Sequence, residues 1–217
     1  MDLVTAMRTT GTCRYFRPDP VPDDTLYRAF EAARFAPQGG NRQPAQWIVV
    51  REPARKQALA DLYLPRWKAY VDALASRRLP VRSNTVSAAN HFAEHMSEVP
   101  VLLVLCAELS GLYPTDNKLG RLSVVGGASL YPTMQNVCLA LRAEGVATAV
   151  TTLLCHDEPA VRELLELPDD VLTAAHVAVG YPERGFPTRL SRLPVGRSVS
   201  LERWGSPMPD PSPTLDG

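Results

Sequence analysis

The chain has 217 residues, 45% of them apolar, enough for one core of ordinary size, and 23 basic side chains balance 23 acidic ones. That balance argues against a protein that tracks nucleic-acid phosphates, which needs a basic surplus. No long uncharged apolar run or N-terminal apolar segment points to a membrane span or a signal peptide, so the cytoplasm is the expected compartment.

The balance conceals an asymmetry. Residues 1–82 carry 14 basic and 8 acidic side chains and the remainder 9 and 15, which suits anion binding by the first half or complementary surfaces between chains. In chain order, a short helix is expected near Leu3–Arg8. A clearer one covers Asp23–Phe35, where Leu26, Phe30 and Ala33 recur at helical spacing after a Pro-Asp-Asp start. "QWIVV" follows as a strand. Arg55–Arg78 and Asn90–Glu98 read as helices, the second stopping before Pro100. "VLLVLC", Val101–Cys106, is six consecutive apolar residues after a proline, which suits a central strand covered on both faces. The longest helical pattern runs from Val124 to Ala143. Ala128, Tyr131, Met134, Cys138 and Leu141 share its apolar face, Gly145 marks its end, and Pro132 should kink it or fix its first turn. "VATAVTTLL" reads as a strand, Glu158–Leu165 as a helix and "AAHVAVGY" as the last strand, so the class is α/β or α+β. After Tyr181, the prolines Pro182, Pro187, Pro194, Pro207, Pro209 and Pro211 imply an extended tail, disordered at its end.

Most short motifs fail. "HFAEH", His91–His95, satisfies an H-x-x-E-H zinc pattern, but a zinc hydrolase needs a third ligand from elsewhere, and two histidines on a partly charged helix are an ordinary solvated pair. No G-x-G-x-x-G, no phosphate-binding G-x-x-x-x-G-K-[ST] and no G-x-S-x-G elbow occurs. Cys13, Cys106, Cys138 and Cys155 are spaced for neither a zinc ribbon nor a disulfide framework; Cys138 reads as a small core hydrophobe, and Cys155 precedes His156. Three polar clusters remain. In "MRTTGTCRYF", Arg8 and Arg14 flank three threonines and Gly11; "APQGGNRQPAQW" packs amides and glycines just ahead of a strand; "GYPERGFPTRLSRLP" holds Arg184, Arg189 and Arg192. Arginines with hydroxyls and a glycine suit a phosphate, and amides suit a ligand that both donates and accepts.

Taken in this order over residues 5–195, the clusters resemble the FMN-dependent nitroreductase family. "GTCRYF" is similar to its N-terminal Arg-Ser-x-Arg motif, "APQGGNRQPAQW" to its Pro-Ser-x-x-Asn loop, "MQNVCLAL" to its Gln-Asn helix, and "VGYPERGFPTRLSRLP" to its Gly-Tyr-Pro and later Arg-x-Pro segment. The resemblance implies an α+β nitroreductase-like fold, a central mostly antiparallel sheet sandwiched by helices. It also implies a single flavin-binding domain over 1–195 with an extended tail over 196–217, and a homodimer whose FMN sites lie between chains. Arg14 and Arg192 would hold the phosphate, with Thr12 in the place of the family serine. Pro37, Gln38, Gly39 and Asn41 would cradle the flavin, and Thr151, Thr152 and Leu153 would face the pyrimidine end of the ring. Departures are visible: Thr10 stands where the first arginine belongs, with Gly11 after it, leaving Arg8 or Arg189 to compensate. Gln38 replaces a small serine, and Ala45 replaces a common tryptophan whose volume Trp47 would fill from the same strand face.

The implied activity is hydride transfer from NAD(P)H through FMN to a small-molecule electron acceptor such as a nitroaromatic or quinone, with no essential side-chain acid or base. Alternatives are a specialised biosynthetic or dehalogenating member of the family, a flavin-binding protein without turnover, and the zinc hydrolase. Residues Tyr63–Ala89, with Trp67 and Tyr70, form either a substrate lid or a solvated surface helix.

Overall fold

The apolar run after Pro100 is the strand around which the rest is built. In the computed structural model, which describes residues 1–76 and 83–211, β2 (Val101–Glu108) is buried from Val101 to Ala107. It lies inside a four-stranded antiparallel sheet with β1 (Ala45–Val50), β3 (Ala147–Thr151) and β4 (Val171–Gly180), in the order β1-β2-β4-β3. The register pairs Val50 with Leu102, Val101 with Val179, and Thr151 with His176, and a bulge interrupts β2 between Leu105 and Cys106.

Alternation along β2 divides the core into two layers, because successive side chains leave opposite faces of a strand. Val101 and Leu103, with Val177 and Val179, pack against α2 (Asp23–Ala33) and α5 (Tyr131–Ala143) through Leu26, Ala29, Val137 and Leu141. Leu102, Val104 and Cys106, with Ala149 and Ala178, face α3 (Pro53–Ser76), α4 (Ser83–Glu94) and α6 (Glu158–Leu165) through Leu59, Tyr63, Phe92 and Val161. The short α1 (Leu3–Thr9) is capped by Asp2, whose side chain accepts from Thr5 N–H at 2.9 Å. The result is the expected α+β sandwich.

Several expected boundaries move. The pattern from Val124 to Ala143 becomes helical only at Tyr131, and Pro132 sits in the first turn, where its missing N–H is no loss. The residues before it are held as a loop by Asp116, a buried carboxylate that accepts from Val124 N–H at 2.9 Å and Ser123 Oγ at 2.6 Å. The helix placed over Asn90–Glu98 instead starts at Ser83 and ends at Glu94, a 3₁₀ turn (Met96–Glu98) completing the segment. The strand read over Val146–Leu154 stops at Thr151, followed by a 3₁₀ turn at Leu153–Asp157. Arg78, the expected end of the third helix, and the tip of the tail, 212–217, lie outside the described residues. Among those described, no helix is long and apolar enough to cross a membrane.

Candidate functional site

The N-terminal motif lies along the β3 edge of the sheet. Thr12 bridges Thr148 in parallel, and Cys13 N–H donates to the Thr148 carbonyl at 2.9 Å. Further on, Phe16 pairs with Pro182, Arg17 N–H donates to the Tyr181 carbonyl at 2.9 Å, and Glu183 N–H to the Tyr15 carbonyl at 3.0 Å. Stitched on both sides, Arg14 is held over a cavity of about 290 Å³ lined also by Thr12, Tyr63, Trp67, Thr151, Thr152 and Leu153. Five residues predicted from two distant stretches thus meet in one place. Arg14 is half-buried and, among the described residues, forms no ion pair with a carboxylate. The Tyr63 phenol lies beside Thr151; burial raises its pKa, opposed by the Thr151 hydrogen bond and the Arg14 charge. Of the predicted backbone donors, Leu153 N–H is engaged by Thr151 Oγ1 at 3.2 Å. Two contacts fasten α3 over this edge: Arg66 Nε donates to Asp157 Oδ2 at 2.7 Å, and Trp67 Nε1 to Asn90 Oδ1 at 2.7 Å.

The tail cluster comes alongside. A Cβ on Gly11 would stand 3.1 Å from both Leu190 Cδ2 and Pro187 Cγ, so Gly11 gives its space to the tail and thereby draws the segment bearing Arg189 and Arg192 towards the motif. Arg8, Arg189 and Arg192 are exposed and lie outside the cavity lining. Arg192 donates to the Ser191 carbonyl at 2.8 Å, and Thr10, standing where the family arginine belongs, closes α1 by donating to the Ala6 carbonyl at 2.7 Å. Arg184 stacks over Tyr15 at 4.0 Å, Tyr15 over His91 at 4.3 Å and His91 over His95 at 4.1 Å. The H-x-x-E-H histidines are therefore links in a column tying tail to N-terminal segment; among the described residues no group of three or more metal-ligating side chains gathers.

The Pro37–Asn41 loop sits at the opposite edge, before β1, docked on the start of α5. Gly39 N–H donates to Ser129 Oγ at 3.1 Å and Gln38 Nε2 to Thr133 Oγ1 at 2.9 Å, while Gln38 Oε1 is buried without a partner. Gly40, Asn41 and Gln43 adopt φ of 58°, 53° and 54°, left-handed values that cost a non-glycine residue energy and cluster where a loop is shaped for use. Trp47 shares a face with Ala45 and packs on Phe30 with ring centroids 5.5 Å apart. From the Thr12 segment to β1 there are four inter-strand steps, about 19 Å, so within one chain the loop and the Arg14 cavity do not form one pocket.

Two features escaped the sequence reading. His176 on β4 is fully buried opposite Thr151, neither ring nitrogen has a partner, and burial drives its pKa from 6.5 down to about 4. A lone histidine in an apolar strand was the available signal. Tyr63, the first residue of the expected lid segment, instead continues the buried helical stripe of Lys56, Leu59 and Ala60. The thiols are poor nucleophile candidates: burial pushes Cys106 up to about 11 and raises Cys138 and Cys155 as well.

A phosphorylated flavin demands a cation and hydroxyls for its phosphate, amphoteric groups for the ribityl chain and ring edge, and a wall against water. Arg14 without a carboxylate, the hydroxyls of Thr12, Thr151 and Thr152, and the orphaned Gln38 acceptor fit those demands, divided between two edges. The Nitroreductase family model matches residues 7–181. NADH dehydrogenase of Thermus thermophilus is 30% identical, covering 92% of this chain and 95% of its own. Iodotyrosine deiodinase of Drosophila melanogaster is 29% identical over 82% of this chain and 62% of its own length, and 5,6-dimethylbenzimidazole synthase of Rhodospirillum rubrum 28% over 83% and 82%. The solved structure of an FMN and NADPH-dependent nitroreductase from sphigopyxis sp. strain HMH superposes with a TM-score of 0.67 at 21% identity, covering 94% of this chain and all of that one.

Proposed function

The chain belongs to the nitroreductase family, and from that premise we propose that it is a cytoplasmic FMN-dependent NAD(P)H oxidoreductase. It works as a homodimer and passes two electrons to a small acceptor such as a nitroaromatic, a quinone or an enone. The observation that carries this reading is the division of one set of flavin-binding groups between opposite sheet edges: Thr12, Arg14 and Thr151–Leu153 beside β3, and Pro37–Asn41 before β1. Two chains apposed through α5, on whose start the loop is docked, complete two sites.

Arg14 would hold the phosphate through charge-assisted bonds, with Thr12 beside it and Arg192, and Arg8 or Arg189, reinforcing from the neighbouring segments. The Thr151–Leu153 turn would face the pyrimidine end of the ring, where its threonine hydroxyls and the Thr152 N–H would stabilise negative charge. From the second chain, the unpartnered Gln38 Oε1 would accept and the Asn41 amide would donate at the ribityl chain and ring edge. Tyr63 and Trp67 wall the cavity against water. When bound, FMN would supply the hydride chemistry between a nicotinamide donor and the small acceptor. Positioning and ring electrostatics are the protein's share, so no side-chain acid or base is assigned.

A specialised biosynthetic or dehalogenating role is the second reading, supported by the deiodinase and synthase relatives; it uses the same flavin site with a different acceptor. Purified protein should be yellow and should bleach on anaerobic addition of NADPH or NADH. Colour that persists with both identifies a flavin binder without turnover, and protein that stays colourless in excess FMN refutes the reading.

A further inference from the structure

His91 and His95, which take no part in the proposed flavin site, are held in a specific arrangement. His91 lies in the last turn of α4 and His95 directly after the helix, at the spacing that sets one side chain above another. Their rings stack with centroids 4.1 Å apart and planes 26° apart. His95 Nδ1 stands 2.8 Å from the His91 carbonyl. A carbonyl can only accept, so Nδ1 carries the proton and Nε2 of the neutral ring keeps its lone pair, the orientation that ligating histidines have in metal sites. Stacking leaves that lone pair free: Tyr15 covers one face of His91 at 4.3 Å and His95 the other, whereas imidazole lone pairs lie in the ring plane. Both histidines are half-buried, so water reaches them.

We propose that His91 and His95 form a two-histidine site for a divalent transition ion, Cu²⁺ most tightly and Ni²⁺ or Zn²⁺ after it, with water completing the shell. Imidazole suits these ions, whereas Mg²⁺ and Ca²⁺ take oxygen ligands. Bonds of about 2.1 Å require the two nitrogens to stand about 3 Å apart, a small rotation for rings already in contact. The end of a helix favours positive charge, because its last carbonyls point there unpaired. The exposed carboxylates of Glu94 and Glu98 stand beside the pair in the chain, and Arg184 stacks on the far side of Tyr15. Among the described residues no third ligating side chain joins the two, so the ion lacks the protein ligands of a hydrolytic zinc. Its role is structural: it clamps the end of α4 beneath Tyr15, the residue that follows Arg14.

The test is independent of the flavin. Purified protein carrying ring-labelled histidine is stripped of metal and titrated with nickel chloride, whose paramagnetism broadens the signals of nearby imidazoles. Of the chain's four histidines, His91 and His95 should broaden first, at one ion per chain, while His156 and His176 stay sharp. His95→Phe keeps a ring for the stack and removes the ligand, so it should weaken nickel binding roughly a hundredfold, as the loss of one arm of a chelate does; His156→Gln should leave binding unchanged. Zinc chloride should raise the urea midpoint of the wild type and not that of His95→Phe, because an ion that binds the folded state alone stabilises it. Broadening that begins at His156 or His176, equal nickel affinity in wild type and His95→Phe, or a zinc effect that persists in His95→Phe overturns the proposal. Should His95→Phe fold poorly, the wild-type titration decides by itself.

Discussion

Lowering the pH should unfold this protein partly through one residue. His176 is fully buried, and burial holds its pKa at about 4 against an ordinary 6.5. The unfolded chain binds a proton there as pH falls through 6.5, but the folded chain does not until about 4. The stability this depressed value preserves is therefore intact above 6.5, erodes between 6.5 and 4, and is lost below. Integrated over that window the loss is about 3 kcal/mol, of which about 2 kcal/mol falls between pH 7 and pH 5. Urea unfolding of the FMN-loaded protein at pH 7 and pH 5, at fixed protein and flavin concentrations, measures it against His176→Leu, which carries every other titrating group unchanged. The wild type should lose about 2 kcal/mol more than the variant. At pH 7 the variant should be at least as stable, since a side chain of similar volume replaces two buried, unpartnered nitrogens. Parallel pH dependence in the two proteins would refute the reasoning, because it would mean that His176 titrates normally or has found a partner.

Arg192→Ala should raise the FMN dissociation constant by an amount worth about 1.5–3 kcal/mol, and Arg14→Ala, which removes a residue lining the cavity itself, by no less; equilibrium dialysis reads both, and unchanged retention would refute the phosphate assignment. Gly180→Ala places a Cβ 2.8 Å from Pro100 Cδ and 3.0 Å from Phe16 Cδ1, so it should cost about 1–3 kcal/mol in chemical denaturation and shift the segment that carries Arg14. Asp116 is held below the usual carboxylate range, chiefly by the Ser123 hydroxyl and then by Val124 N–H. The order it lends to the loop is present above that range and lost as pH falls through the lowered value, so Asp116→Asn should speed proteolytic cleavage between 113 and 130 at neutral pH, and an unchanged cleavage rate would contradict this.

The apolar run Val101–Cys106 announced the central strand because nothing but burial on both faces accommodates it, and the order of the polar clusters pointed to the family. Boundaries that depend on contacts between distant segments were less visible. Val124 to Leu130 keeps a helical rhythm, yet it is tied into a loop by Asp116, a bond that local spacing does not encode. Thr12 and Thr151 line one cavity and Gly11 packs on the tail, contacts that depend on how β3 pairs with the N-terminal segment and on where residues 187–190 return. The rings of Trp67 and Tyr70 were legible as a lid or a surface; only the fold shows that their stripe outruns the core and opens beside Arg14.

On the proposed function, a flavin needs groups from two chains. Sedimentation of the purified protein across a dilution series, followed at flavin and protein wavelengths together, addresses it most directly. FMN should travel with the dimer alone, one per chain, and be released in step with dissociation. Flavin that stays bound to single chains would contradict the account.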